Sequence, residues 1–108
     1  MLQVKNIPKK LNTPYIQERL LQICQENGIV LFGIFGSFAR GKDTQKSDVD
    51  VLIKFTEDGK KSLLDLMRIE DELSVLFQKK VDLLTIEGVS PYLKNEILNT
   101  MQTLYEAR

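Results

Sequence analysis

Histidine is absent from this 108-residue chain. Its absence excludes histidine-based catalytic triads, histidine-ligated zinc and imidazole acid–base chemistry. There is one cysteine, Cys24, so no internal disulfide can form, which fits a reducing cytoplasm. Cys24 lies among apolar residues, where a free thiol usually serves as a small buried hydrophobe. No apolar run approaches the ~20 residues of a membrane span. The opening MLQVKNIPKK lacks the apolar segment of a signal peptide, so no membrane association is expected. Charge of either sign in excess is also lacking: 15 Lys plus Arg offset 15 Asp plus Glu. No bulk attraction then draws the chain directly to nucleic acid, and an anionic ligand must be held by local geometry. The apolar fraction of 43% suits one globular core, and the length predicts a single domain over residues 1–108.

Residues 1–12, with Lys5, Lys9 and Lys10, read as a poorly ordered lead-in. Thr13-Pro14 then reads as a helix start, a Thr N-cap with Pro at the first helical position. Ile16, Leu20, Ile23 and Cys24 follow on one face, and Asn27-Gly28 ends the helix. Ile29 to Phe35 (IVLFGIF) is an apolar run of strand length, expected to be covered on both faces. Gly36 to Gly41 reads as a tight turn leading into a short helical piece. Val49 to Phe55 (VDVLIKF) reads as a second strand, and Thr56 to Lys61 as a surface turn. Ser62 can cap a helix to about Gln78, with Leu66, Ile69, Leu73, Leu76 and Phe77 facing inward. Val81 to Thr85 is a third short strand. Ser90-Pro91 opens a last helix with Leu93, Ile97, Leu98 and Met101 inward, and Thr103 to Tyr105 is a final extended segment. Helices and strands in this order imply an α/β (α+β) domain, a small mixed sheet packed with helices.

The pattern that carries chemistry is Gly36-Ser37, ten residues, then Asp48-Val49-Asp50. A strand places residues i and i+2 on one face, so the two carboxylates can lean towards a common point. Hard cations such as Mg²⁺ take oxygen ligands, and paired ions suit phosphoryl transfer. Taken alone, Asp-x-Asp is also what two solvated charges on a half-exposed strand look like, although Asp is disfavoured in strands and here opens an apolar stretch. Ser47 before the pair is either an ordinary loop residue or one that turns the chain so that both carboxylates converge. A strand running into a glycine turn presents backbone N–H groups to an anion, with the Ser37 hydroxyl as a further donor; Gly-Ser is also a common plain turn. Arg40 and Lys42 can meet phosphate oxygens or stand as surface charges. Asp82, in a short apolar strand after Lys79-Lys80, either pairs with a lysine or faces a ligand. If its strand lies beside Val49–Phe55, it completes a cluster of three carboxylates.

The segment GSFARGKDTQKSDVDVLI resembles the signature of the minimal nucleotidyltransferase family in the DNA polymerase β-like superfamily, and VDLLT resembles that family's distal acidic strand. The resemblance runs from about Ile29 to Thr85, and the ending SPYLKNEILNTMQTLYEAR is also similar. It implies a polymerase β-like nucleotidyltransferase core. It implies an NTP, ATP above all, with its terminal phosphates on Gly36 and Ser37 and assisted by Arg40. It implies two Mg²⁺ ions held by Asp48, Asp50 and Asp82, with Asp82 helping to activate the acceptor hydroxyl. It implies AMP transfer to a tyrosine of a HEPN-domain ribonuclease toxin, for which the chain would be the antitoxin in a complex of unlike subunits. Two other functions are set beside this one: a binding module that neutralises its partner by contact, and a small-molecule (antibiotic) nucleotidyltransferase needing a separate helical chain. Little sequence lies outside the core motifs, so a partner protein is expected to supply acceptor recognition. Phe38, Tyr92, Leu104 and Tyr105 are the candidates for an exposed apolar edge that meets it; the other reading is that Phe38 and Leu104 are core and the tyrosines merely cover it.

Overall fold

A computed structural model describes residues 7–37, 39, 41–42, 44, 47–57 and 61–107. Helix α1 spans Pro14–Glu26, strand β1 Ile29–Phe35, β2 Val49–Phe55, helix α2 Leu63–Phe77, β3 Val81–Thr85, helix α3 Pro91–Thr100 and β4 Gln102–Glu106. The helix starts follow their caps. Thr13 Oγ1 accepts from the Ile16 N–H at 3.1 Å with Pro14 in the first turn, occupying a donor that the helix itself leaves without a partner. Ser62 and Asp65 form a reciprocal capping box at α2: Ser62 Oγ accepts from the Asp65 N–H at 3.2 Å, and Asp65 Oδ2 accepts from the Ser62 N–H at 3.1 Å. The Ser62 N–H, and then the Ser62 hydroxyl donating to the same Oδ2 at 3.0 Å, hold the Asp65 carboxyl below its ordinary range. α2 ends on Gln78 in the left-handed conformation, φ 55°.

The four strands form a mixed sheet in the order β3-β2-β1-β4. β1 is antiparallel to both β2 and β4, whereas β2 and β3, joined through α2, run parallel. One face carries Phe32 and Ile34 of β1, Val49, Val51 and Ile53 of β2, and Val81 of β3. On these pack Leu20, Ile23 and Cys24 from α1 and Ile69, Leu73, Leu76 and Phe77 from α2, all buried in one cluster. Burial pushes the Cys24 thiol up to about 12, the inert core thiol expected.

Strand alternation sends Gly33, Asp50, Leu52 and Asp82 to the other face. β3 and β4 are opposite edges, so the chain must cross the sheet between them. It crosses on this second face, where the Met101 side chain lies against Gly33; a Cβ there would stand 2.5 Å from the methionine sulfur. Gly33 is buried accordingly, which covers the middle of β1 on both sides. The edge of β3 is closed by α2 rather than left open to another strand. Ser74 Oγ accepts from the Val81 N–H at 3.0 Å, and Glu70 Oε2 accepts from the Leu83 N–H at 2.9 Å.

Three expectations need correction. Residues 7–12 are not a loose lead-in: Ile7 and Leu11 are buried in the core around a short 3-10 turn over Lys9–Leu11, and the surrounding lysines mask that apolar pair. Residues 1–6 lie outside the described residues. α3 buries none of its residues: Leu93 points outward at 49% exposure, and Ile97, Leu98 and Met101 are only half-buried. The described residues of the 36–41 segment are turn, not helix. Among the described residues, no helix is long and apolar enough to cross a membrane.

Candidate active site

β1 runs out of the core at Phe35 and turns at Gly36, whose φ is +76°, a conformation only glycine takes without strain. The turn is closed beyond it by the Lys42 N–H donating to the Ser37 carbonyl at 2.8 Å, with Gly41 at φ +68°. Ser47 then closes a second turn: its Oγ accepts from the Thr44 N–H at 2.7 Å, and its N–H donates to the Thr44 carbonyl at 3.0 Å. That turn delivers Asp48 to the start of β2, where the Val49 N–H donates to Lys80 O at 2.9 Å. Ser47 is therefore the chain-turning residue rather than an idle loop position. Arg40 and Phe38 lie outside the described residues. Lys42 is exposed.

The pairing register brings the acids together. Asp50 is the partner of Phe35 on one side and of Asp82 on the other. Directly paired residues share a sheet face, so Asp50 and Asp82 face the same way, and Asp48, two residues before Asp50, joins them. Asp50 also lies hard against the turn: a Cβ built on Gly36 would overlap Asp50 Oδ2 and stand 3.2 Å from its Cγ. Glycine is needed here both for its conformation and for the closeness of the carboxylate. Asp82 has Lys80 Nζ at 4.0 Å, with both side chains substantially exposed, a surface pairing of small energetic weight. Asp82 thus touches a lysine and stands on the same sheet face as Asp50.

Burial raises the Asp50 carboxyl above its ordinary range, and the negative charges of Asp82 and then Asp48 push it further. A half-buried carboxylate between two like charges is relieved by a cation. Among the described residues no three acidic, cysteine or histidine groups gather closely enough to enclose a metal unaided. The donor set still fits Mg²⁺, which commonly takes one or two carboxylates and completes its shell with water and substrate phosphates rather than a protein cage.

The apolar edge expected near the site is only partly present. Tyr92 is exposed, whereas Leu104 and Tyr105 belong to the core. They are buried because β4 is paired along β1, with a register shift between Phe32 and Gly33. A groove of about 540 Å³ lies instead between α1 and α2, walled by Tyr15, Leu64, Met67 and Val75. It is on the helix side of the molecule, away from the carboxylates. Sequence reading passed over Glu70 and Ser74, which grip β3; nothing in their spacing marks them among the other polar residues of α2.

A mixed sheet whose central strand ends in a glycine turn, beside carboxylates paired across β2 and β3, is the frame of a nucleotidyltransferase. Residues 17–104 match the nucleotidyltransferase domain family, and the chain belongs to that family. It is 40% identical over 89 residues, covering 82% of this chain and 94% of the relative, to a Methanocaldococcus jannaschii protein provisionally named protein adenylyltransferase MJ0435. Among solved structures it is similar to one provisionally described as a minimal nucleotidyltransferase, with TM-score 0.69 and 34% identity, covering 79% of this chain and 85% of that one. It also shares the fold, at TM-score 0.64 and 15% identity, of a chain in the complex of a tri-AMPylated Shewanella oneidensis HEPN toxin with its MNT antitoxin, covering 86% of this chain and 71% of that one.

Proposed function

We propose that this nucleotidyltransferase is a protein adenylyltransferase and antitoxin: it transfers AMP from ATP to a tyrosine hydroxyl of a HEPN-domain toxin. The observation that carries the reading is the position of Asp50, in register with Asp82 and packed against the Gly36 turn. It joins the phosphate-binding element and the acids in one place. The name of the Methanocaldococcus relative supports a protein as acceptor, and the fold shared with the HEPN–MNT complex supports the class of partner.

In this reading the Gly36-Ser37 turn binds the β- and γ-phosphates through backbone N–H groups and the Ser37 hydroxyl. Arg40 adds a charge-assisted contact to the same phosphates. Asp48 and Asp50, with Asp82 beside them, hold Mg²⁺, which when bound neutralises the charge that builds on the phosphoryl oxygens. The tyrosine oxygen attacks the α-phosphorus in line, the bond from that phosphorus to the bridging oxygen breaks, and pyrophosphate leaves with the electron pair. Asp82 accepts the tyrosine proton, a task that falls to a carboxylate in a chain without histidine. The site lies in the cytoplasm, where ATP and such a partner are available.

The test is intact-mass analysis of the protein that co-purifies with this chain, before and after incubation with ATP and Mg²⁺. Addition of AMP to tyrosine is the expected result, lost in the Asp48→Asn, Asp50→Asn double variant. A partner that stays unmodified, yet is inhibited equally by the double variant, overturns the reading in favour of neutralisation by contact.

A further inference from the structure

β3 is the weak link in the candidate centre. It is five residues long, stands at the sheet edge, and among the described residues pairs only with β2, in the parallel arrangement that is less stable per residue. A slip of one residue along β2 would turn Asp82 from the site face to the helix face. Hydrogen bonds to β2 oppose such a slip on one side of the strand. On the other side, the N–H groups of Val81 and Leu83, the residues flanking Asp82, both point at α2.

Two polar side chains of α2 receive them. The Ser74 hydroxyl donates to the Glu70 carbonyl at 2.9 Å and accepts from the Val81 N–H at 3.0 Å. Donation to its own helix aims the free lone pair of Ser74 at the strand. One turn earlier on the helix, Glu70 Oε2 accepts from the Leu83 N–H at 2.9 Å, a bond strengthened by the charge on the carboxylate. The spacing of four residues on α2 matches the spacing of two on β3, about 6 Å along a helix and 6.5–7 Å along a strand. The two contacts therefore act as a pair of pins on either side of Asp82. α2 is itself anchored through Ile69, Leu73, Leu76 and Phe77 in the core, so the pins transmit the position of the core to the edge strand.

We propose that Glu70 and Ser74 are positioning residues for the carboxylate centre: by holding Val81 and Leu83 they keep Asp82 opposite Asp50. The inference rests on the reading of Asp50 and Asp82 as parts of one metal-dependent site. Neither residue touches the reacting groups. Their effect is on how well the acids are placed when Mg²⁺ and the nucleotide arrive, as outer residues orient metal ligands elsewhere.

The test uses the full chain and the variants Glu70→Ala, Glu70→Gln, Ser74→Ala and the double Glu70→Ala, Ser74→Ala. Calorimetry follows ATP binding with and without Mg²⁺, and amide hydrogen exchange follows Val81 and Leu83. Glu70→Ala is expected to speed exchange at Leu83 and weaken the Mg²⁺-dependent binding about tenfold, the usual cost of losing such a residue. Binding without Mg²⁺, through the Gly36-Ser37 turn, should be unchanged. Glu70→Gln retains an acceptor oxygen and should restore most of the Mg²⁺-dependent binding. Should Glu70→Ala fail to fold, Ser74→Ala carries the test, since alanine favours the helix and, besides the bond to Val81, only the hydroxyl's bond to the Glu70 carbonyl of its own helix is lost. A double variant that binds Mg²⁺ and ATP as the natural chain does overturns the positioning role. So does one that loses metal-free and metal-dependent binding alike, which is general loosening of the fold. If the unaltered chain shows no Mg²⁺-dependent binding, the metal-dependent reading of the site fails, and the positioning role fails with it.

Discussion

Replacing Gly36 by alanine disturbs the candidate site in two separable ways. The backbone at Gly36 has φ +76°, which costs an L-residue about 1–2 kcal/mol. In a chain of this length that strain lowers Tm by about 5–10 °C. The new methyl group would also overlap Asp50 Oδ2 and press on the Asp50 Cγ at 3.2 Å. The carboxylate would have to move on the order of 1 Å, and a misplacement of that size costs about a hundredfold in rate. Gly41 supplies the control. It has nearly the same backbone conformation, φ +68°, but among the described residues a Cβ there meets nothing within 4 Å. Gly41→Ala should therefore lose similar stability while retaining most of its activity. Thermal unfolding would measure the strain, and intact-mass assay of AMP transfer at a temperature where both variants are folded would measure the site. Equal loss of activity in the two variants would refute the claim that contact between Gly36 and Asp50 matters. So would full activity in Gly36→Ala.

Other outcomes follow from the same geometry. Because the Asp50 carboxyl is raised in the fold, its ionised form costs stability, and that cost is present above the folded pKa and relieved as pH falls through it towards the ordinary value of 3.8. Without metal, Asp50→Asn should melt higher than the natural chain at neutral pH, and the difference should shrink near pH 3.8; with Mg²⁺ and ATP the order should reverse. A difference that grows on acidification would refute this sign. The Cys24 thiol, buried and pushed up to about 12, should resist alkylation at neutral pH until the protein unfolds, as mass spectrometry in native buffer and in denaturant would show; rapid labelling of the native protein would contradict its burial.

What the chain states locally, it states well. Thr13-Pro14 and Ser62 announce helix starts because a cap acts through bonds to residues two or three positions away. The strand limits Ile29–Phe35, Val49–Phe55 and Val81–Thr85 follow from apolar runs between glycine and polar turns. The proximity of Asp48 to Asp50 is built into strand geometry, and Gly36-Ser37 after an apolar strand marks a turn suited to phosphate. The partnership of Asp50 with Asp82 is of another kind. It depends on β3 lying next to β2, parallel and in a particular register, a choice made by α2 packing over both strands and by Glu70 and Ser74 pinning the edge. The same holds for Ile7 and Leu11, hidden among lysines yet buried, and for Leu104 and Tyr105, enclosed by pairing with β1 rather than exposed at the site. Leu93 fits an inward pattern but stays outside, on a helix that buries none of its residues. Capping and periodicity act over a few residues and leave their mark in order along the chain. Strand order, register and burial arise between residues far apart in sequence, and only the packed core selects among the arrangements the local signals permit.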